Sequence, residues 1–194
     1  MKHYTAVFLL FSTGCLGWGA PRAGGNSNIT GSTASRLQPS PEMQKVLKAF
    51  VGNWRVNETF EISESRKGET RQGTAALRSG PGFSLLEDYN SNGSAGELHF
   101  LGILWWDSGS QLYRFFSCAN TSGCESRGVA RWEGESLVNR WDEDIKGTKT
   151  SFRDSFTDIT PSSFRLVSEG LADGKVVWRV VTLYERTPEQ RISH

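Results

Sequence analysis

The chain has few of the residues that most enzymes and metal proteins use for their chemistry. It holds three cysteines and three histidines in 194 residues. Two cysteines without nearby histidines cannot supply the four ligands of a structural zinc site. The chain also has no Gly-x-Ser-x-Gly nucleophile motif and no glycine-rich phosphate loop. The sequence therefore predicts no metal site, no cofactor and no catalytic residue.

An excess of charge of one sign is also missing. The 22 basic and 21 acidic residues are interspersed and leave a formal net charge of +1. A nucleic-acid-binding domain would carry a clustered basic surface, so we expect no nucleic-acid partner. No apolar run is long enough to span a bilayer. Contact with a membrane is therefore expected only through a lipid anchor.

The first twenty residues, 1–20, have the pattern of an export signal. Lys2 precedes an apolar run from Ala6 to Phe11, and small residues follow. The segment from Ser12 to Cys15 resembles a bacterial lipobox, which makes Cys15 a candidate for lipidation, although Ser12 stands where that motif usually has Leu. The alternative is cleavage by an ordinary signal peptidase closer to position 20. Both alternatives predict a secreted or periplasmic protein.

The next segment, 21–39, is rich in Gly, Ser, Thr and Asn and is predicted to be a flexible linker. Ser40 and Pro41 then form a typical helix start. The helix carries an apolar stripe at i, i+3, i+4 and i+7, formed by Met43, Val46, Leu47 and Phe50. We expect this helix to cover one end of a folded domain that spans 40–187, with a tail at 188–194.

Nearly all of the remaining chain consists of short runs with β-strand patterning, separated by Gly, Asn, Asp, Ser and Pro turns. The runs are Trp54–Ile62, Thr70–Leu77, Phe83–Tyr89, Glu97–Trp106, Gln111–Cys118, Glu125–Trp132, Ser136–Asp142, Thr148–Thr157, Ser163–Ser168 and Val176–Glu185. Many strands at short, even spacing are typical of a meander that closes on itself. The sequence predicts an all-β, antiparallel, up-and-down barrel of about ten strands with a short N-terminal helix.

Two of the three cysteines flank a turn-like insert between neighbouring strand runs. Cys118 and Cys124 enclose Ala-Asn-Thr-Ser-Gly, and antiparallel strands joined by such a loop can bring two Cα atoms within disulfide range. An exported protein meets oxidising conditions, so we favour a disulfide over two free thiols.

The helix runs directly into Gly52-Asn53-Trp54, and the chain closes on Tyr184-Glu185-Arg186. This arrangement resembles the lipocalin-like barrels of the calycin superfamily. Within that superfamily it is similar to uncharacterised lipocalin-like domains of exported bacterial proteins. The resemblance covers residues 41–186 and implies a cup-shaped barrel that binds an apolar small molecule, with no established reaction. It also implies that Gly52 and Trp54 are structural and that a late Arg (Arg179 or Arg186) lies across Trp54, and we expect Arg179 in that role. A related branch binds heme through a His late in the barrel, and the late strand runs of this chain contain no His.

Three charged residues interrupt apolar faces of the predicted strands: Glu58, Arg114 and Asp154. Such groups could pair inside a cavity or orient the polar head of a ligand. Alternatively, β-bulges could turn each of them toward solvent. The aromatic candidates for the lumen include Trp132, Trp141 and Tyr184, which fit either core packing or the walls of a pocket. These six residues are the predicted ligand-binding set.

Three functions fit this sequence. The first is an exported barrel that binds a small, mostly apolar ligand without chemistry, and this is the function we expect. The second is an enzyme that works through Glu58, Arg114 and Asp154 on a small molecule held in the barrel. The third is a filled barrel that serves as a structural or interaction module of the cell envelope.

Overall fold

A computed structural model describes residues 38–63, 65–145 and 148–188. The predicted signal peptide with Cys15, and all of the predicted linker except its last two residues, lie outside the described residues, as does most of the tail. Among the described residues, no helix combines the length and the apolar character needed to cross a membrane.

The helix α1 (Pro41–Phe50) precedes the strands and begins as its sequence predicts. The Ser40 hydroxyl accepts a hydrogen bond from the backbone N–H of Met43 at 3.3 Å, which satisfies one of the free donors of the first turn. The apolar stripe buries Met43, Val46 and Phe50. This stripe packs onto one end of the sheet, where it joins the main hydrophobic core.

Ten antiparallel strands form one closed barrel in which each strand pairs with its neighbours along the chain, and the last pairs with the first. The strands are β1 (Gly52–Ile62), β2 (Thr70–Ser79), β3 (Leu85–Gly93), β4 (Leu98–Asp107), β5 (Leu112–Ala119), β6 (Gly123–Glu133), β7 (Ser136–Ile145), β8 (Thr148–Thr157), β9 (Ser163–Ala172) and β10 (Lys175–Arg186). The predicted up-and-down barrel is confirmed. Several predicted boundaries differ from the structure. Phe83 has a φ of 62°, ends a short 3-10 turn (Pro81–Phe83) and does not begin β3. β3 and β9 each extend four residues past their predicted ends, to Gly93 and Ala172.

Trp54 closes the end of the barrel that α1 covers. Its ring is fully buried, and its Nε1–H donates to the carbonyl of Phe50 at 2.9 Å. The guanidinium of Arg186 lies 4.2 Å from the ring centroid, a cation–π contact. Arg186 also donates to the carbonyl of Val51 at 2.9 Å. A side chain on Gly52 would collide with this guanidinium, which explains a glycine at that position.

The predicted contact between Arg179 and Trp54 is wrong. Antiparallel pairing sets Trp54 opposite Arg186, whereas Arg179 lies opposite Ile62 at the far end of β1. Arg179 is on the outer surface of the barrel, where its Nε donates to Glu169 at 2.8 Å. The resemblance allowed either arginine, and strand register decides between them.

Candidate ligand-binding cavity

The barrel encloses a cavity of about 600 Å³ between the core at the α1 end and the loops that follow β1 and β5. Strand alternation creates it, because every second residue of a strand points inward. Much of its wall consists of aromatic rings, including those of Phe60, Phe100, Phe115, Trp141, Phe152 and Trp178. Ser63, Arg66, Thr121 and Ser122 lie where the cavity meets the loops.

One side of the cavity carries a buried ion pair. Glu58 on β1 and Arg71 on β2 are direct partners in the strand register, and both are nearly inaccessible to solvent. The Nε of Arg71 donates to Glu58 Oε1 at 2.6 Å, and the Tyr89 hydroxyl donates to Glu58 Oε2 at 3.1 Å. Burial, together with the nearby charge of Glu58, raises the pKa of Tyr89 well above its ordinary value. Glu58 therefore has its counter-ion within the wall.

A second carboxyl group lies deeper in the barrel. Glu87 on β3 accepts a hydrogen bond from the Tyr184 hydroxyl at 3.0 Å. Burial raises the pKa of Glu87 to about 7, the hydrogen bond from Tyr184 opposes this rise, and the charge of Asp154 adds to it. Burial also raises the pKa of Tyr184. Glu87 thus changes its protonation state near neutral pH, inside a largely apolar space.

A smaller chamber of about 40 Å³ adjoins the cavity toward the α1 end. Glu87, Phe115, Asp154 and Phe156 line both spaces. The other walls of the chamber are mostly aliphatic and come from several different strands and α1. The polar side chains Glu87 and Asp154 therefore mark the boundary between the wide cavity and its floor.

Four of the six predicted ligand-binding residues line the cavity, namely Glu58, Trp141, Asp154 and Tyr184. Trp132 does not. Its ring centroid lies 6.5 Å from that of Phe50, its Nε1–H donates to the Tyr113 hydroxyl at 3.2 Å, and the Lys45 ammonium lies 3.7 Å from its ring centroid. Trp132 thus packs beneath α1, at the covered end of the barrel.

The prediction that Arg114 faces the lumen is wrong. Its Nε donates to Asp107 Oδ2 at 3.3 Å, and its side chain is 39% exposed on the outer surface. The inward face of β5 is formed by Tyr113, Phe115 and Ser117. Both faces of this strand carry large apolar residues, so alternation alone does not identify the inner one. The proposed charge trio of Glu58, Arg114 and Asp154 does not exist.

Two important residues of the cavity, Arg71 and Glu87, were not among the predicted set. Arg71 precedes Gly73 and Ala75 on its face of β2, so no apolar neighbours frame it on both sides. Glu87 stands between Leu85 and Tyr89 on β3. This is the pattern that singled out Glu58, a charged residue between apolar residues at i−2 and i+2. The same test would have identified Glu87 but not Arg71.

The predicted disulfide between Cys118 and Cys124 is confirmed. The two cysteines are register partners on β5 and β6, next to the loop that borders the cavity. Within the part of the chain that the structure describes, no group of three or more His, Cys, Asp or Glu residues could hold a metal ion.

Neither a protein-family model nor a curated protein matches this chain. Among solved structures it is similar to a fluorescence-activating β-barrel designed de novo, at 14% identity and a TM-score of 0.42, covering 73% of this chain and 97% of that one. It is also similar to a redesigned β-barrel, mFAP0, bound to DFHBI, at 14% identity and a TM-score of 0.40, covering 70% and 97%.

Proposed function

We propose that this protein is a lipocalin-like barrel of the calycin type that binds a small, mostly apolar molecule in its cavity. The observation that carries the proposal is the cavity of about 600 Å³, which lies within the roughly 300–1,000 Å³ range of small-molecule sites. Such a volume does not fit the alternative of a barrel filled by its own side chains.

The chemistry of the wall supports a ligand with an apolar body and few polar groups. Aromatic rings such as Trp141 and Phe152 provide broad apolar contact. The charge of Glu58 is already balanced by Arg71, so this pair presents a largely neutral surface. The polar groups nearer the floor, Glu87 and Asp154, are positioned to orient the ligand.

Obstruction of the cavity tests the proposal. Ser168 lines the cavity on β9, whereas Ser155 on β8 lies on the outer surface of the barrel. Ligand binding is measured by native mass spectrometry and by displacement of a naphthalene-based fluorophore, with fatty acids, isoprenoids and polycyclic aromatics as candidate ligands. We expect Ser168→Trp to weaken binding at least tenfold and Ser155→Trp to leave it unchanged. Absence of binding for every class, or equal binding by both variants, would contradict the proposal.

We also propose that the barrel functions outside the cytoplasm, secreted or periplasmic and held at the envelope if Cys15 is lipidated. The apolar run of residues 6–11 and the disulfide between Cys118 and Cys124 support this location. Cell fractionation combined with labelled fatty acid, on the parent and on Cys15→Ala, separates the two routes. A full-length, unlabelled chain in the cytoplasm would refute export.

A second candidate function is acid–base catalysis on the bound molecule. It is favoured by Glu87, because a carboxyl group with a pKa of about 7 can both donate and accept a proton near neutral pH. Mass analysis of a ligand recovered after incubation distinguishes the two functions. Binding alone returns the ligand unchanged, whereas an enzyme returns a product whose formation slows in Glu87→Gln.

A further inference from the structure

The floor of the barrel contains a polar side chain that no part of the described fold satisfies. Asn139 lies on the inward face of β7 and is 3% exposed. Neither its Oδ1 nor its Nδ2 forms a hydrogen bond with any residue that the structure describes. Buried amides nearly always have partners, because they have given up their hydrogen bonds to bulk water.

The surroundings of Asn139 identify where a partner would lie. Asn139 lines the small chamber of about 40 Å³ together with Glu87 and Asp154, and it is the register partner of Asp154 on the neighbouring strand. The chamber is large enough for a few water-sized groups, at about 10–15 Å³ each. It adjoins the ligand cavity at Glu87, Phe115, Asp154 and Phe156.

An asparagine here is a poor choice for stability alone. Apart from Glu87 and Asp154, which lie where the chamber meets the cavity, the other lining residues are apolar, such as Leu77, Leu85 and Leu137. A leucine at position 139 would make the floor below those two carboxyl groups entirely apolar. An amide side chain instead provides one acceptor and one donor group side by side. A partner from outside the fold that offers the complementary pair would satisfy both.

We propose that this chamber is the subsite for the polar end of the ligand, and that this end is a neutral carboxamide or lactam group. The inference rests on the proposed ligand-binding function and specifies its ligand class. The ligand N–H donates to Asn139 Oδ1, and the ligand carbonyl accepts from Asn139 Nδ2. A neutral group is favoured over a cation, because an ammonium group has no acceptor atom for the unsatisfied Asn139 Nδ2 and would pair with the carboxyl groups of Glu87 and Asp154 instead.

Four probes with one aromatic body test the subsite: 2-naphthamide, methyl 2-naphthoate, 2-ethylnaphthalene and 2-naphthylmethylammonium. Affinities are measured by fluorophore displacement for the parent, for Asn139→Leu and for Asn57→Leu, which makes the same change on the outer face of β1. We expect the parent and Asn57→Leu to prefer the amide to 2-ethylnaphthalene about tenfold, as one or two net hydrogen bonds allow. In Asn139→Leu this preference is expected to disappear while 2-ethylnaphthalene still binds.

A measurement on the unmodified sequence covers the case in which Asn139→Leu does not fold. In ¹⁵N-labelled protein, 2-naphthamide is expected to shift the side-chain amide resonance of Asn139, and 2-ethylnaphthalene is not. Three results would each overturn the subsite. The first is an amide preference that persists in Asn139→Leu, and the second is tighter binding of the ammonium probe than of the other three. The third is a side-chain resonance of Asn139 that 2-naphthamide does not shift, which would mean that the chamber holds water and not the amide of the probe. Those results leave the proposed function intact if the probes bind. Failure of the parent to bind any of the four probes would also overturn the subsite, and the proposed function would fall only if fatty acids, isoprenoids and other polycyclic aromatics do not bind either.

Discussion

Replacement of Arg71 by methionine removes the guanidinium that neutralises Glu58 inside the barrel. The two side chains are only 9% and 6% exposed, so the remaining carboxylate would be buried without its counter-ion. Loss of one partner from a buried ion pair costs about 3–5 kcal/mol, because an uncompensated charge remains in a medium of low polarity. Methionine keeps an unbranched, flexible chain at that position, so most of the loss should come from the charge.

Urea unfolding at neutral pH, followed by circular dichroism, measures the change in the free energy of unfolding. In a thermal melt of a domain of this size, the same loss of stability lowers the melting temperature by about 6–20 °C, at roughly 2–4 °C per kcal/mol. The matched control is Arg55→Met. Arg55 pairs with Glu185 at 2.6 Å, but their side chains are 65% and 40% exposed. An exposed pair of this kind contributes no more than about 1 kcal/mol.

A double variant separates the charge from the packing. Glu58→Met combined with Arg71→Met leaves neither charge, so it should recover much of the stability that Arg71→Met loses. The hydroxyl of Tyr89 then loses its acceptor, and we expect recovery to be incomplete for that reason. If the free energies of unfolding of Arg71→Met and Arg55→Met differ by less than about 1 kcal/mol, then Glu58 does not need a counter-ion inside the barrel and the reasoning is refuted.

Three further predictions concern stability. Trp54→Ala should cost about 3–5 kcal/mol in a urea melt because the ring is fully buried, whereas Trp105→Ala, at a residue 37% exposed, should cost much less; equal losses would contradict the placement. Because burial raises the pKa of Glu87 from 4.5 to about 7, the native state binds more protons than the unfolded chain between these two pH values. The free energy of unfolding should therefore fall by up to about 3 kcal/mol as the pH rises from 4.5 to about 7. Glu87→Gln should flatten this dependence on pH, and parallel curves for the parent and the variant would argue against the raised pKa. Reduction of Cys118–Cys124 should add a pair of hydrogens to the mass and lower stability by about 2 kcal/mol, given the six-residue separation, and an unchanged mass would exclude the bridge.

Local chemistry was sufficient to predict the architecture. The Ser40-Pro41 helix start, the turn residues between runs and the alternation of apolar residues each act over a few positions. Neighbouring strands in an up-and-down barrel are also neighbours in the chain, so the order of the sheet follows once the strands are recognised. The disulfide could also be predicted from local sequence, because Cys118 and Cys124 face each other across a single short turn.

The contents of the cavity depended on contacts between residues far apart in the chain. Glu58 was recognised as anomalous, but its partner Arg71 has no distinguishing pattern of its own. Asn139 is an ordinary polar residue in the sequence, and only the packing around it leaves its amide without a partner among the described residues. Arg114 is the opposite case. Its apolar neighbours in the sequence predicted an inward side chain, but the side chain lies on the outer surface.

The sequence by itself determined that ten β-strands and one helix form a barrel, because alternation and turn chemistry are properties of neighbouring residues. Tertiary structure alone decided that Arg186, and not Arg179, covers Trp54, and which face of β5 points inward. The physical reason is that the alternation of side chains along a strand divides its residues between two faces but does not specify which face points into the barrel. That choice is made when the sheet closes and its register sets distant strands opposite each other.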